Sequence, residues 1–188
     1  MSYGEVQKKE IETIAPRTFT VNLSDADVKR LFKKAAEASL TPEELFENFV
    51  GDLVDGTYSN GSDERMCAEE WYNRCWFSFD YFGSFLAYLV RECEYEDFIN
   101  SFETAEESAE ELLEMNIDDF VNKDSYDEEH DFFSLRLEDA NKEIKEIFDG
   151  YCEYNKEHKE YDEELKSVLK YRDGLAAALS RENERNDE

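Results

Sequence analysis

The amino-acid sequence predicts a mainly α-helical protein that opens with one short β-strand. Only seven Gly and two Pro occur in 188 residues, whereas an all-β chain with a turn every 8–12 residues or so would need more. With 40% hydrophobic residues, including 14 Phe, 11 Tyr and 2 Trp, the chain can bury a core despite its charge. We therefore predict an N-terminal β-α-α unit, residues 1–56, followed by an acidic helical bundle, residues 57–188.

The N-terminal unit begins with a polar segment, residues 1–16, which we interpret as a mobile lead-in. After it, Phe19, Val21 and Leu23 alternate with polar residues, as in a half-buried strand. A lone strand leaves its backbone donors and acceptors unpaired. If the Phe19–Leu23 strand forms, we therefore expect a homodimer in which two copies pair through it.

Two helices with N-terminal capping motifs should follow the strand. Ser24 precedes Asp27 by three residues, and the helix that they begin should end near Ala38. Thr41 precedes Glu44 in the same way, with a proline at the first helical position. We expect this second helix to end at Gly56.

Three segments make up the predicted acidic domain, which begins after the loop at residues 57–63. Residues 64–91 are rich in aromatic side chains and should form a buried core, and residues 94–131 are strongly acidic. Residues 137–179 carry apolar side chains at steps of three and four, as in a heptad repeat. This pattern fits one long helix or a pair divided near Gly150 or Asn155, packed either as bundle helices or as a projecting coiled coil.

The net charge of −28, with a pI near 4.3, favours a protein partner over direct DNA binding. Residues 94–131 hold sixteen carboxylates against Lys123 alone. Apolar residues still recur there, which indicates a folded acidic surface that could occupy a basic site built for nucleic acid. General solubility or adaptation to high salt is the alternative interpretation. The predicted partner-binding residues are Glu94, Glu96, Asp97, Glu103, Glu106, Glu107, Glu110, Glu111, Glu114, Asp118, Asp119, Asp124, Asp127, Glu128, Glu129 and Asp131.

No motif in the sequence indicates an enzyme. The two histidines, His130 and His158, lie far from any recognisable nucleophile, and the scattered glycines form no phosphate-binding loop. The four cysteines lack metal-site spacing, and the loop from Asp55 fails as a calcium-binding loop. We expect no catalytic residue, cofactor or metal, and we expect a cytoplasmic protein with reduced thiols, since neither a signal peptide nor a membrane span is recognised.

The segment TFTVNLSDADVKRLFKKAAEASLTPEELFENFVGDLV, residues 18–54, resembles the ribbon-helix-helix family. Proteins of that family pair their strands into a dimeric ribbon that enters the DNA major groove, and the second helix points its N-terminus at a phosphate. By this resemblance Thr18, Thr20 and Asn22 would face the groove beside Arg17, and Thr41 would lie at the phosphate.

A second resemblance involves residues 18–64 and the acidic segment ETAEESAEELLEMNIDDF, residues 103–120. Small, helical, acidic proteins of this kind resemble the anti-CRISPR proteins of phages and mobile elements that block type II RNA-guided nucleases, several of which mimic DNA. The resemblance implies a stoichiometric inhibitor that binds the nuclease–guide RNA complex in the cytoplasm of a bacterial host. The alternative is a dimeric ribbon-helix-helix DNA-binding regulator or antitoxin whose acidic domain neutralises a basic partner.

Overall fold

The computed structural model describes residues 3–79, 83–155 and 160–180, and within them the regular structure consists of eight α-helices and two short 3₁₀ turns. The chain divides into two compact units, Met1–Asp80 and Tyr81–Glu188. The boundary expected after Gly56 lies inside the first unit. None of the helices in the described ranges combines the length and the apolar character needed to cross a bilayer.

The first unit contains four helices. These are α1 Tyr3–Glu12, α2 Asp25–Glu37, α3 Pro42–Leu53 and α4 Ser62–Arg74, and a 3₁₀ turn at Trp76–Ser78 follows them. Helix α3 packs against both α2 and α4. The loop expected to separate two domains therefore joins helices that pack together.

The predicted capping motifs start α2 and α3. The Ser24 hydroxyl accepts a hydrogen bond from the Asp27 backbone N–H at 3.2 Å. At α3 the capping box is complete, because the Thr41 hydroxyl accepts from the Glu44 N–H at 3.2 Å while the Glu44 carboxylate accepts from the Thr41 N–H at 2.7 Å. Each motif satisfies backbone donors that a helix start leaves unpaired.

The predicted N-terminal strand is wrong. Residues 18–23 have no regular structure, and the described part of the chain contains no β-strand. Phe19 is 73% exposed, and Val21 and Leu23 are exposed as well. An alternating sequence forms a strand only when another strand pairs with its backbone, and no described segment does so. The first unit is therefore all-helical, and the predicted β-α-α, ribbon-helix-helix-like architecture is not found.

Aromatic residues 64–91, expected to form one core, are shared between the two units. In the first unit Trp71 packs edge-on against Phe49, with ring centroids 5.5 Å apart, but both tryptophans, Trp71 and Trp76, are exposed. In the second unit Phe85 and Leu89 are fully buried. Phe82 lies outside the described residues. The larger described core therefore belongs to the second unit.

The second unit also contains four helices. They are α5 Phe85–Arg91, α6 Tyr95–Glu114, α7 Lys123–Asn155 and α8 Tyr161–Leu179. The heptad segment thus forms two helices, and α7 ends at Asn155, one of the two predicted division points. Both helices pack within the unit as bundle helices, α7 on α6 and α8 on α5, instead of forming a coiled coil with each other. His158 of the heptad lies outside the described residues.

Helices α6 and α7 form an antiparallel hairpin. The Ser101 hydroxyl donates to Glu143 at 2.6 Å, and Arg136 donates to Glu107 at 2.7 Å, so residues later in α6 meet residues earlier in α7. The α6 stripe that faces α7 is made of small buried residues, which are Ser101, Ala105 and Ser108. Small side chains let two helix axes approach to about 8 Å.

A cluster of aromatic rings joins α5 to the hairpin. The fully buried Phe85 ring of α5 lies 5.0 Å from Phe98 of α6, 5.1 Å from Phe148 and 5.3 Å from Tyr151, both of α7. The Glu164 carboxylate of α8 accepts hydrogen bonds from the Phe85 backbone N–H at 2.8 Å and from the Tyr151 hydroxyl at 3.3 Å. All four helices thus meet at Phe85.

Candidate partner-binding surface

Most of the predicted partner-binding carboxylates are exposed. Of the sixteen, only Glu94 and Asp127 are partly buried. Eight lie on α6, which has no Lys or Arg, and five lie in the first turns of α7, which has Lys123 beside them. The remaining three comprise Glu94, just before α6, together with Asp118 and Asp119 in the α6–α7 connection.

Most of the α6 carboxylates lie on the side of the helix turned away from its buried serines and alanine. Five of them follow the helix axis at helical spacing, and they are Glu96, Glu103, Glu107, Glu110 and Glu114. The buried serines and alanine of the same helix lie on the other side, facing α7. We call the eight carboxylates of residues 96–114 the α6 acidic face.

The charge density of the α6 acidic face is close to that of one DNA strand. Its 20-residue helix is roughly 30 Å long at about 1.5 Å per residue. Eight carboxylates over that length give a mean of one negative charge per ~4 Å, compared with one per ~3.4 Å along a single strand of duplex DNA. The helix therefore presents negative charge at a density that a phosphate-binding groove can accommodate.

Two cations from neighbouring helices lie at the edges of the α6 acidic face. Arg136 of α7 pairs with Glu107 at 2.7 Å, and Arg172 of α8 lies 3.8 Å from Glu103. The other exposed carboxylates toward the C-terminal end of α6 form no hydrogen bond or ion pair with the described residues, and they are Glu106, Glu110, Glu111 and Glu114. These four are available to an external cation without breaking an internal contact.

The acidic residues of α7 do not extend this face. Asp124, Glu128 and Asp131 lie on the side of α7 opposite to the stripe that packs on α6. Glu129 is also exposed, and Asp127 is paired with Lys123 at 2.7 Å. Because α6 and α7 pack side by side, their acidic sides point in different directions, and the carboxylates of the two helices form separate surfaces.

The α6–α7 connection lies at one end of the hairpin. A 3₁₀ turn at Ile117–Asp119 exposes Asp118 and Asp119, and the Asn116 side chain caps it by accepting from the Asp118 N–H at 3.1 Å. Leu113 and Val121 beside it are 85% and 96% exposed. This end of the hairpin is acidic, with exposed apolar side chains next to the carboxylates.

Glu94 differs from the other predicted residues because part of its carboxylate faces the interior. Its Oε2 atom is buried and has no hydrogen-bond partner among the described residues. Burial raises the pKa of Glu94 above its usual value, and the nearby carboxylates of Glu92 and Asp97 raise it further, while a hydrogen bond with the Tyr88 side chain acts in the opposite direction. Glu94 is therefore a poor candidate for contact with a partner.

The residues that the ribbon-helix-helix resemblance implies do not lie on a strand. Thr18, Thr20 and Asn22 lie in the irregular segment before α2, and Arg17 donates to the Thr13 carbonyl at 3.5 Å. The hydroxyl and the N–H of Thr41 are both engaged in the α3 capping box. No strand holds the three polar side chains on one face, so the structure does not assemble the predicted reading surface.

A groove on the open flank of the hairpin was not predicted from the sequence. It has a volume of about 470 Å³ and lies between α6 residues 100–104 and α7 residues 132–143. Phe132 and Leu135, which line it, are 60% and 61% exposed. The sequence feature that marks the groove is this pair of apolar residues, three positions apart and outside the heptad positions. A helical pattern alone does not show which flank of a hairpin is left open.

The described residues offer acceptors for Lys and Arg but no cluster of metal ligands. No three His, Cys, Asp or Glu side chains in residues 3–79, 83–155 and 160–180 converge as metal ligands would. Exposed carboxylates bind cationic side chains through charge-assisted hydrogen bonds. No protein-family model, curated protein or solved structure matches this chain.

Proposed function

We propose that this protein is a stoichiometric, non-enzymatic inhibitor that places its α6 acidic face in the basic groove of a nucleic-acid-handling enzyme. A type II RNA-guided CRISPR nuclease with its guide RNA is the proposed partner, and target DNA is the competitor. The inhibitor would act by preventing the engagement or cleavage of that DNA in a bacterial host cell.

One observation carries this proposal. Helix α6 presents eight carboxylates and no cation over roughly 30 Å, and four of them have no internal partner among the described residues. Negative charge that served only to keep the protein soluble would not need to be concentrated on one helix at the density of a DNA strand. A surface that replaces phosphates does need this arrangement, because the cations of a DNA groove are spaced for phosphates.

The two edge contacts of the face also support the proposal. The ion pairs of Glu103 with Arg172 and of Glu107 with Arg136 tie α6 to α8 and α7. Packing of α6 onto α7 fixes the direction of the acidic face before binding, so little backbone entropy is lost when the partner binds. Long-range attraction between a negative face and a positive groove should mainly accelerate association.

The experiment compares two variants with the same net charge. In the face variant, carboxylates without an internal partner are changed to Lys, and they are Glu106, Glu110, Glu111 and Glu114. In the control variant, four exposed carboxylates of the first unit are changed to Lys, and they are Glu47, Asp63, Glu69 and Glu70. Inhibition of target-DNA cleavage by type II nuclease–guide RNA complexes is then measured, with circular dichroism as the check on folding.

We expect the face variant to lose inhibition by at least about tenfold, because four attractive charges become repulsive. The control variant should inhibit nearly as well as the parent. Equal inhibition by parent and face variant would refute the proposed role of α6. Equal loss in both variants would mean that net charge, and not the position of the charge, determines the effect, and this outcome would refute it too.

A further inference from the structure

An antiparallel helix pair has a groove along each of its two flanks, and a third helix can pack into either groove. In the α6–α7 hairpin, α5 fills one of them. Phe85 is the central side chain of this contact, since its ring meets Phe98 of α6 and both Phe148 and Tyr151 of α7 within 5.3 Å. The described structure thus includes one example of a helix in a hairpin groove.

No described helix of the second unit occupies the groove on the opposite flank, which is lined by α6 and α7 residues. Small or polar residues form its α6 wall, Asn100, Ser101 and Thr104, and the apolar side chains Phe132 and Leu135 form part of its α7 wall. Their exposed fractions of 60% and 61% show that the larger part of each side chain faces solvent. The α7 wall, residues 132–143, runs for about 16 Å, which corresponds to roughly three turns of a bound helix.

Carboxylates border this groove on both sides. Asp139 and Glu143 lie on its α7 wall. Asp97 and Glu111 share the groove side of α6, because each lies three or four residues, or a multiple of these steps, from Asn100 and Thr104. Arg136, the cation of the groove, already pairs with Glu107. The groove therefore combines an apolar strip with negative borders.

We propose that this open groove binds an amphipathic α-helix of a partner protein, with apolar side chains on one face and Lys or Arg on its flanks. The apolar face covers Phe132 and Leu135, and the basic flanks pair with the bordering carboxylates. This is the helix-in-groove mode of recognition. The contact between Arg172 of α8 and Glu103 shows the same pairing of a basic residue with an α6 carboxylate.

The negative borders select a protein helix over a membrane or a nucleic acid. Anionic lipid headgroups and phosphates would be repelled by the carboxylates on both sides of the groove. This proposal does not depend on the proposed inhibitor function, since the apolar strip, Phe132 and Leu135, lies on α7. Asp97 and Glu111 belong both to the α6 acidic face and to the groove border.

A pair of synthetic peptides of identical composition tests the proposal on the full-length protein. The first is an amphipathic peptide of about 18 Leu and Lys residues, with leucines at helical spacing. The second has the same residues scrambled, so that no helical face is apolar. Binding of each labelled peptide is measured by fluorescence anisotropy at physiological salt. Because both peptides carry the same charge, non-specific attraction to an acidic protein cancels in the comparison.

We expect the amphipathic peptide to bind roughly tenfold or more tightly than the scrambled one, because only it can cover the apolar strip. The double variant Phe132→Ser/Leu135→Ser should remove this preference. A control, Leu113→Ser/Val121→Ser, changes two exposed apolar residues outside the groove and should keep it. Equal affinity of the two peptides for the parent would overturn the proposal, and so would a preference that survives in the groove variant.

Discussion

Replacing Phe85 with alanine should unfold the second unit under conditions in which the parent remains folded. The side chain is fully buried in α5. Its ring lies 5.0 Å from Phe98, 5.1 Å from Phe148, 5.3 Å from Tyr151 and 6.4 Å from Tyr88. The substitution removes a ring that contacts both helices of the hairpin, so it tests the packing on which the direction of the α6 acidic face depends.

The expected loss follows from the buried area and the ring contacts. Transfer of about 150 Å² of apolar surface from water stabilises by roughly 4 kcal/mol at about 25 cal/mol per Å². Substitutions of buried Phe by Ala destabilise by about 3–5 kcal/mol, and several aromatic neighbours place Phe85 toward the upper end. With a urea dependence of about 2 kcal/mol per M, the midpoint of unfolding should fall by roughly 2 M.

Urea unfolding of parent and variant, followed by far-ultraviolet circular dichroism, measures this loss. Both tryptophans, Trp71 and Trp76, belong to the first unit, so tryptophan fluorescence identifies the transition of that unit. The control is Phe132→Ala, a change of the same chemistry at an exposed site, which should cost less than about 0.5 kcal/mol. A loss below about 1 kcal/mol for Phe85→Ala would show that the described aromatic cluster does not hold the second unit together.

Three further substitutions test the structure of the second unit. Gly174→Ala should raise the free energy of unfolding by up to about 1 kcal/mol through helix propensity, because no atom lies within 4 Å of the added methyl group. In Gly150→Ala, by contrast, the added methyl group would lie 3.0 Å from the Tyr88 hydroxyl oxygen. We expect the free energy of unfolding of Gly150→Ala, measured with heat or urea, to be at least ~1 kcal/mol lower than that of Gly174→Ala. Equal stability of the two variants would contradict the close contact between Gly150 and Tyr88. Glu94→Gln should stabilise the protein near pH 7, because burial raises the pKa of this carboxyl and its ionised form is disfavoured. Because the folded state binds the Glu94 proton more tightly than the unfolded state does, the contribution of Glu94 to the free energy of unfolding falls as the pH rises. The extra stability of Glu94→Gln should therefore disappear at and below the usual glutamate pKa. Extra stability that does not change with pH would contradict the raised pKa of Glu94.

Local signals in the sequence predicted α2 and α3 well, whereas the mobile lead-in expected at residues 1–16 is wrong, because α1 spans Tyr3–Glu12. Ser24 and Thr41 are the N-cap residues of α2 and α3. Each side-chain oxygen accepts a hydrogen bond from the backbone N–H three residues later, and this contact does not depend on the rest of the fold. The strand prediction failed for the opposite reason. Alternation at Phe19–Leu23 is a local pattern, but a strand is stabilised by a second strand, and no described segment of this chain provides one.

The heptad period of residues 137–179 predicted which residues are buried but not which helices they contact. Its positions do mark buried stripes, since Ala140, Ile144 and Tyr151 of α7 and Val168 of α8 are buried. The period did not identify the main packing partner of each stripe, which is α6 for α7 and α5 for α8. Between α7 and α8 themselves, Tyr151 donates to Glu164 and the Phe148 ring meets Tyr161. Packing partners depend on where the chain reverses direction, and a helical period contains no information about that.

For the candidate surface, the sequence predicted exposure but not direction. The carboxylates of residues 94–131 are nearly all exposed, as their spacing among apolar residues indicates. Their division into the α6 acidic face and a second group on the far side of α7 follows from the hairpin. The sequence does not distinguish Glu94 from these residues, because a residue's type and position do not reveal that part of its carboxylate is buried.

Displacement of DNA tests the central claim, that the α6 acidic face occupies a DNA-binding groove. Labelled target DNA is bound to a type II nuclease–guide RNA complex in which cleavage is disabled, and parent protein is added at several salt concentrations. The account predicts that the protein displaces the DNA, that excess DNA reverses the effect and that affinity falls steeply with salt, because exposed charges are screened beyond about 8 Å at physiological ionic strength. Binding of the protein with the DNA still in place, or an affinity that does not change with salt, would contradict it.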